Sequence, residues 1–232
     1  MLISIIIPCY NEKNTIEKIV NKILRLKNLN IQIIIVDDFS NDGTKEILKK
    51  NLEDKVDEII YHEENKGKGA AIKSAVNLIK GEIIIIQDAD LEYDPSDYFN
   101  LLMPFSQKNT NVVYGSRVMG RNKNQNFNFM KSYRIFGNYL LTKISNIINN
   151  QNITDAHTCY KVFRKEIFFK INLEEDDFSF CPEVTTKLSR FNEKIFEVPI
   201  SYNGRENKDG KKIRFKDALK AFKTIIKYKF RK

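Results

Sequence analysis

The sequence predicts an α/β fold, a mostly parallel central sheet with helices on both faces. Three observations predict it. Strand-like and helix-like segments alternate through the first half of the chain, the order that joins parallel strands through crossover helices. The segment Ile83-Ile84-Ile85-Ile86 is apolar without alternation, as in a strand buried on both faces. Three polar loops each follow a strand, and a parallel sheet brings such loops to one edge, where ligands bind.

The elements follow in order. Residues 3–7 read as a strand. Residues 12–26 read as a helix with Ile16, Ile19, Val20, Ile23 and Leu24 on one face. A strand at 31–36 leads to a helix at 43–52, announced by the turn-and-cap cluster Ser40-Asn41-Asp42. A short strand at 59–61, a helix at 69–79 and the strand at 83–86 complete the regular half. Pro95 opens another helix. A strand at 112–114 precedes the polar, Asn-rich stretch 121–128, which reads as a mobile loop. Helices around 130–148 and 182–191 alternate with strands at 160–163 and 195–198. No repeat or linker divides the chain. Residues 1–210 are expected to form one catalytic-sized body, with 211–232 packed on it or appended to it.

The net charge of the 232 residues is +9, and it has a location. Residues 211–232 hold ten bases and one acid, Asp217, so the whole excess sits in this tail and the rest is neutral. A neutral body with one basic tail suggests a docking element more than a nucleic-acid surface. In the tail, Phe215, Leu219, Phe222, Ile226 and Phe230, with Ala218 and Ile225, fall at three- and four-residue spacing, with lysines between them. This is a basic amphipathic helix, suited either to the core or to an anionic membrane surface. No stretch approaches the roughly 20 apolar residues of a membrane span, and residues 1–7 are too short for a signal peptide. Cys9, Cys159 and Cys181 match no zinc or redox spacing. A reduced, cytoplasmic setting is expected, with His62 and His157 structural.

The chemistry is concentrated at strand ends. Asp88 and Asp90 follow the apolar strand at i, i+2 spacing. Close carboxylates repel unless they share a cation or proton. Mg²⁺ or Mn²⁺ resolves that conflict, and substrate phosphates normally complete its shell. The other two loops are Pro8-Cys9-Tyr10-Asn11-Glu12 and Asp37-Asp38-Phe39-Ser40-Asn41-Asp42-Gly43-Thr44. The turn Asn65-Lys66-Gly67-Lys68-Gly69 suits a diphosphate approached by backbone amides and a lysine. Neither a completed Gly-x-Gly-x-x-Gly nor a P-loop motif occurs, which disfavours a Rossmann dehydrogenase and excludes a P-loop enzyme.

These motifs together resemble glycosyltransferase family 2, which implies the GT-A fold. They are Ile-Ile-Ile-Pro-Cys-Tyr-Asn-Glu at 5–12, Val-Asp-Asp-Phe-Ser-Asn-Asp-Gly-Thr at 36–44, Asn-Lys-Gly-Lys-Gly at 65–69 and Asp-Ala-Asp at 88–90. The branch they resemble is that of dolichol-phosphate mannose synthase and other polyprenyl-phosphate glycosyltransferases. Gly115-Ser116-Arg117, Arg134, Asp155 with Cys159 to Arg164, Glu197-Val198-Pro199-Ile200, and Arg205 with Gly210-Lys211-Lys212 support that branch.

The resemblance implies roles. Pro8, Tyr10 and Glu12 would line the nucleotide pocket, and Asp38 would contact base or ribose. Lys68 and the Asp88-Ala89-Asp90 turn would meet the donor, with Asp88 near ribose and metal and Asp90 on the metal. Glu92, where relatives often have Gln, would be a third metal ligand. Arg117 and Arg134 would hold the acceptor phosphate through their planar forks. Arg205 and Lys211 or Lys212 would close over the diphosphate. Thr158-Cys159 departs from the family's Ser-Gly pair.

A hydroxyl acceptor needs a general base, whereas a lipid phosphate is already an anion near pH 7. The Glu-Asp pair of hydroxyl-glycosylating members is absent around Glu183. This favours a polyprenyl-phosphate acceptor and inversion by single displacement. The alternatives are transfer to a saccharide hydroxyl in cell-surface polysaccharide, and a non-catalytic basic-tail binder of nucleic acid. A sugar nucleotidyltransferase lacks its glycine-rich amino-terminal loop here. GDP-mannose, UDP-glucose and UDP-N-acetylhexosamine remain open as donors, GDP-mannose being slightly favoured by the branch. The expected location is the cytoplasmic membrane face, reached by surface contact or through a separate membrane protein, with no nucleic acid as partner.

Overall fold

A computed structural model describes residues 1–120, 129–204 and 215–231, with the side chains of 129–136 and 215–217 outside the description. A seven-stranded sheet runs through its centre in the order β3-β2-β1-β4-β6-β5-β7. The strands are β1 (Leu2–Cys9), β2 (Asn30–Asp37), β3 (Glu58–Tyr61), β4 (Ile83–Ile86), β5 (Val112–Ser116), β6 (Lys161–Arg164) and β7 (Ile195–Pro199). β1 to β4 are mutually parallel, as expected, and β5 pairs parallel with β7. β6 runs antiparallel to both its neighbours, which makes the sheet mixed.

The apolar strands are explained by burial on two sides. Ile3, Ile5, Ile7, Ile33, Ile35, Ile83 and Ile85 face one layer, which includes Ile16, Ile19, Val20 and Ile23 of α1 (Ile16–Leu24). Ile6, Ile34, Val36, Ile84 and Ile86 face the other, with Ala71, Ile72 and Ala75 of α3 (Lys68–Ala75). The same layer contains Phe168 of α6 (Lys165–Ile171) and Phe180, Val184 and Leu188 of α7 (Phe180–Arg190). α2 (Thr44–Ile47) continues through a wider turn at Leu48–Leu52, and Tyr98 and Leu101 of α4 (Tyr98–Leu102) pack on the first layer.

Two differences from the sequence reading have simple causes. The first helix starts at Ile16 rather than residue 12, because Asn11 adopts φ 56° and the carbonyl of Glu12 accepts the first turn's amides from Thr15 and Ile16. α6 was absent from the expectation; its seven residues follow β6 directly and are too short to show a clear period. The long helix α5 (Phe129–Asn149) and the tail helix α8 (Phe215–Phe230) form where expected. α8 packs on α7 and α5. The predicted loop at 121–128 lies outside the described residues.

Ile85 is fully buried between Ile5 and Val162 in the sheet register. Ile85→Ala is expected to cost about 2–5 kcal/mol of unfolding free energy, measured by urea denaturation.

Candidate active site

The sheet order reverses between β1 and β4: the chain passes from β1 outward to β2 and β3, then returns to place β4 on the other side. Ligands of open α/β sheets bind beyond the strand ends at such a point. The three loops predicted to converge do meet there. Asp38 N donates to Cys9 O at 2.8 Å, Asn11 N to Ser40 Oγ at 2.8 Å, and Glu12 N to Thr44 Oγ1 at 2.9 Å. Gln87 N donates to Ile6 O at 2.9 Å, tying the β4 end to β1. Each loop holds one non-glycine residue in the left-handed region, Asn11, Phe39 (φ 66°) and Leu91 (φ 61°). Such conformations cost about 1–3 kcal/mol each and persist only where surrounding bonds fix them.

Pro8 closes into the end of β1, partly buried, with Tyr10 partly buried beyond it. Glu12 is buried, and its carboxylate accepts the Thr15 hydroxyl at 2.7 Å. Asp38, expected to meet base or ribose, gives its carboxylate to the protein: it accepts Lys66 N at 2.8 Å and Gly67 N at 2.7 Å, and meets His62 Nδ1 at 2.7 Å. His62 Nε2 reaches Ser74 Oγ at 2.9 Å, so this histidine is a structural brace. What Asp38 shapes directly is the 65–67 turn.

That turn departs from the phosphate cradle its glycines suggested. The amides of Lys66 and Gly67 are taken by Asp38, and Ala70 N donates to Asp176 O at 2.9 Å. The glycines make room for chain 175–177. A Cβ on Gly67 would lie 2.6 Å from Asp176 O, and one on Gly69 2.1 Å from Glu175 O. Between them Lys68 projects its ammonium onto Asp88 and, at 3.1 Å, onto the Cys159 sulfur. Burial alone would lower the Lys68 pKa, but Asp88 holds it well above the ordinary value. Burial likewise pushes Asp88 up, and Lys68 brings it below the usual carboxylate range. The pair is therefore charged at neutral pH. Gln87 supports it from behind, donating to Asp88 O at 2.8 Å while its own oxygen accepts the hydroxyls of Tyr98 (2.8 Å) and Tyr160 (2.7 Å).

Ala89 is buried, and the Asp90 carboxylate accepts Glu92 N at 3.1 Å across the turn. Glu92, expected as a third metal ligand, is 9% exposed and accepts the Tyr202 hydroxyl at 2.7 Å through one carboxylate oxygen. Among the described residues no three His, Cys, Asp or Glu side chains gather as a metal site. Asp88 and Asp90 carry hard carboxylate oxygens of the kind a small divalent cation takes, with one Asp88 oxygen paired to Lys68.

Arg117 follows β5, and its fork closes on Asp155, Nε to Oδ2 at 2.7 Å and the terminal nitrogen to Oδ1 at 2.8 Å. Asp155 is fully buried and also accepts Asn138 Nδ2 at 3.1 Å. Burial raises the Asp155 pKa, and Arg117 overrides it downward. Two of five guanidinium donors are thus committed, and the plane lies over the Tyr202 ring at 5.2 Å. Tyr202 packs edge-on against Tyr93 at 5.2 Å, and the Tyr93 hydroxyl accepts Cys159 N at 3.1 Å. A continuous path therefore runs from Asp88 through Lys68, Cys159, Tyr93 and Tyr202 to Arg117. Sequence reasoning missed Tyr93, Tyr202 and Gln87, whose meeting depends on a bridge between Tyr93 and Tyr202 that no local pattern signals. Arg134 lies on α5 with its side chain outside the described set, and Arg205, Lys211 and Lys212 lie outside the described residues.

Glu183, left open between structural and catalytic roles, is fully buried on α7 and accepts Glu174 N (2.7 Å), Glu175 N (2.9 Å) and Lys187 Nζ (2.7 Å). Both oxygens are committed to holding the chain, which leaves neither available as a general base.

The family model for glycosyl transferase family 2 matches residues 4–171. The chain belongs to glycosyl transferase family 2. It is 27% identical over 229 residues to a dolichol-phosphate mannosyltransferase of Pyrococcus furiosus, covering 98% of this chain and 62% of that protein. It is 31% identical over 222 residues to a UDP-N-acetylglucosamine–dolichyl-phosphate N-acetylglucosaminyltransferase of Methanococcus voltae, covering 86% and 84%. A dolichyl-phosphate beta-glucosyltransferase of Trichomonas vaginalis is 26% identical over 240 residues, covering 97% and 72%. Among solved structures, glucosyl-3-phosphoglycerate synthase of Mycobacterium tuberculosis, crystallised with Mn²⁺, UDP and its product, superposes with a TM-score of 0.72. At 15% identity, over 97% of this chain and 79% of that one, it shares the fold, in keeping with the GT-A expectation.

His157 sits two residues from Asp155 with Nε2 buried and lacking a hydrogen-bond partner. Burial, reinforced by the Lys161 charge, lowers its pKa from 6.5 to about 4. As pH falls from 6.5 toward 4, the unfolded chain takes up a proton that the native state refuses, so stability is lost across that window. His157→Phe is expected to flatten this part of the stability–pH curve, read by urea denaturation at half-unit steps.

Proposed function

We propose that this chain is an inverting, divalent-metal-dependent glycosyltransferase that moves a hexose from a nucleoside diphosphate sugar to a polyprenyl phosphate. The observation that carries the reading is the linked set of side chains that runs from the Asp88–Lys68 pair through Cys159, Tyr93 and Tyr202 to Arg117 on Asp155. Cleaving the donor's glycosidic bond leaves charge on a diphosphate. A divalent cation on Asp90 and Asp88 supplies neutralisation of that charge when bound. Lys68 contributes a second, fixed positive charge that needs no reorganisation during the reaction.

At the other end, the donors of Arg117 that no described residue takes suit the acceptor phosphate, and Asp155 holds the guanidinium in place. Arg134 on α5 is assigned to the same anion, and Arg205 and Lys211 to the donor diphosphate, on family resemblance. Pro8, Tyr10 and Glu12 border the nucleotide side, with Asp38 acting through its turn. A phosphate oxygen attacks the anomeric carbon without a general base, consistent with the commitment of both Glu183 oxygens to the main chain. The named relatives share a dolichyl phosphate and differ in sugar, so the acceptor class is better supported than the hexose.

The tail helix supports work at a membrane surface. No helix among the described residues is long and apolar enough to cross a membrane. α8 has two apolar faces: Ala221, Thr224, Ile225 and Tyr228 are buried, while Leu219, Phe222, Ile226 and Phe230 are exposed. Lys223 is exposed beside this stripe, and each base near an anionic surface contributes about 1 kcal/mol. The occupant of this face is the anionic bilayer that carries the acceptor.

Asp90→Asn is expected to abolish transfer while thermal unfolding stays unchanged. The assay follows label from UDP- and GDP-sugars, with Mg²⁺ or Mn²⁺, into the organic phase with a short polyprenyl phosphate. Retained metal-dependent turnover would overturn the site assignment, and a water-soluble product would favour a saccharide acceptor. For the membrane face, Phe222→Ser with Phe230→Ser is expected to abolish flotation with phosphatidylglycerol vesicles. Unchanged flotation would remove α8 from the docking surface.

A further inference from the structure

Four successive acids, Glu174-Glu175-Asp176-Asp177, cross the molecule between α7, α8 and the first turn of α3. Like charges at this density repel unless each is answered, and here the answers come from three elements. From α7, Lys187 pairs with Glu174 at 3.1 Å and with Glu183 at 2.7 Å, while Glu183 anchors the main chain by accepting the amides of Glu174 and Glu175. From α8, Lys227 Nζ (2.7 Å) and the Tyr228 hydroxyl (2.9 Å) meet Glu175, Lys220 meets Asp177 at 2.7 Å, and Arg231 meets Glu174. From α3, Lys73 donates to Glu174 O at 2.8 Å and pairs with Asp176.

The inner edge of this strap bears on the donor end of the crevice. Asp176 O accepts Ala70 N, and Glu175 O and Asp176 O lie where side chains on Gly69 and Gly67 would be. Lys68 is the residue between those two glycines. Its long side chain must reach across to Asp88, so the placement of its backbone decides where the ammonium sits.

We propose that the acidic strap 174–177 positions Lys68 for the donor diphosphate, with Glu183 fixing it from inside and the cations of α8 fixing it from outside. The inference rests on the reading that Lys68 faces that diphosphate. Glu183 is then a positioning residue, acting through the strap and never touching substrate. It follows that charges on the tail helix, far along the chain from the nucleotide loops, tune donor affinity.

The experiment measures UDP and GDP binding to the full chain with Mg²⁺ by calorimetry, without lipid, alongside thermal unfolding and the KM of donor and acceptor. Lys68→Gln serves as the reference and is expected to weaken nucleotide binding. Glu183→Gln is expected to weaken it by roughly tenfold or more, the scale at which supporting residues act, with acceptor KM unchanged. Lys227→Ala, an exposed change that leaves the fold intact, is expected to shift affinity in the same direction by a smaller factor. A purely structural role for Glu183 would lower the unfolding temperature and leave the affinity of the folded protein unaltered. If Lys68→Gln loses affinity while folded Glu183→Gln and Lys227→Ala keep it, the strap inference is overturned and the donor reading stands. If Glu183→Gln does not fold, Lys227→Ala decides alone, and unchanged affinity there overturns the inference. If Lys68→Gln itself binds normally, the donor role of Lys68 falls and the inference with it.

Discussion

The buried ion pair between Lys68 and Asp88 is the constraint around which the crevice is organised. Their side chains are 10% and 17% exposed. Neither charge would be tolerated alone at that depth, and removing one partner of such a pair typically costs about 3–5 kcal/mol. The surrounding structure is arranged to keep both in place. Gln87 fixes the main chain of Asp88, and two buried tyrosine hydroxyls fix Gln87. On the other side Asp38 and the 175–177 chain shape the turn from which Lys68 projects. A pair held this firmly presents a fixed dipole to whatever enters, which is what stabilisation of a departing diphosphate requires.

Much of this was legible in the sequence. Uninterrupted isoleucines at 83–86 marked a strand covered on both faces, and both layers are present. The acids and amides at strand ends marked one crevice edge, since parallel strands leave no other place for them. What the sequence hid was long-range. The antiparallel direction of β6 depends on which partners flank it, and nothing within Lys161–Arg164 encodes that. The family resemblance implied a metal-ligand role for Glu92, and no local pattern signalled that Tyr202, 110 residues away, donates its hydroxyl to that carboxylate. The glycines at 67 and 69 carried a true signal with a different cause. They mark a close backbone approach, by a segment more than 100 residues later, which a reading of local motifs assigns to phosphate.

The tail helix shows the same ambiguity resolved by geometry. Its apolar spacing fitted both core packing and surface attachment, because the helix carries apolar residues around more of its circumference than one stripe. The structure divides them: Ile225 and Tyr228 go inward, Phe222 and Phe230 outward. The lysines divide as well. Lys220 and Lys227 answer the acidic strap, Lys229 reaches Ser189 of α7, and Lys223 is exposed beside the outer stripe. A helix polar on its outer face would need no such partition.

The two ends of the crevice differ in how their charge is balanced, and the difference bears on chemistry. At the end proposed for the donor Lys68 neutralises Asp88, which would leave Asp90 as the carboxylate for a cation to answer. At the acceptor end Asp155 accepts from Arg117 through both oxygens, yet the guanidinium keeps donors in hand because it has five. A lysine there would be spent on Asp155 and offer no planar fork to a phosphate. The Tyr202 ring lies under the Arg117 guanidinium and is itself packed edge-on by Tyr93. On the proposed reading, an anion seated on Arg117 would meet a guanidinium already fixed by Asp155 and Tyr202, so little reorganisation would be needed as charge shifts toward the donor.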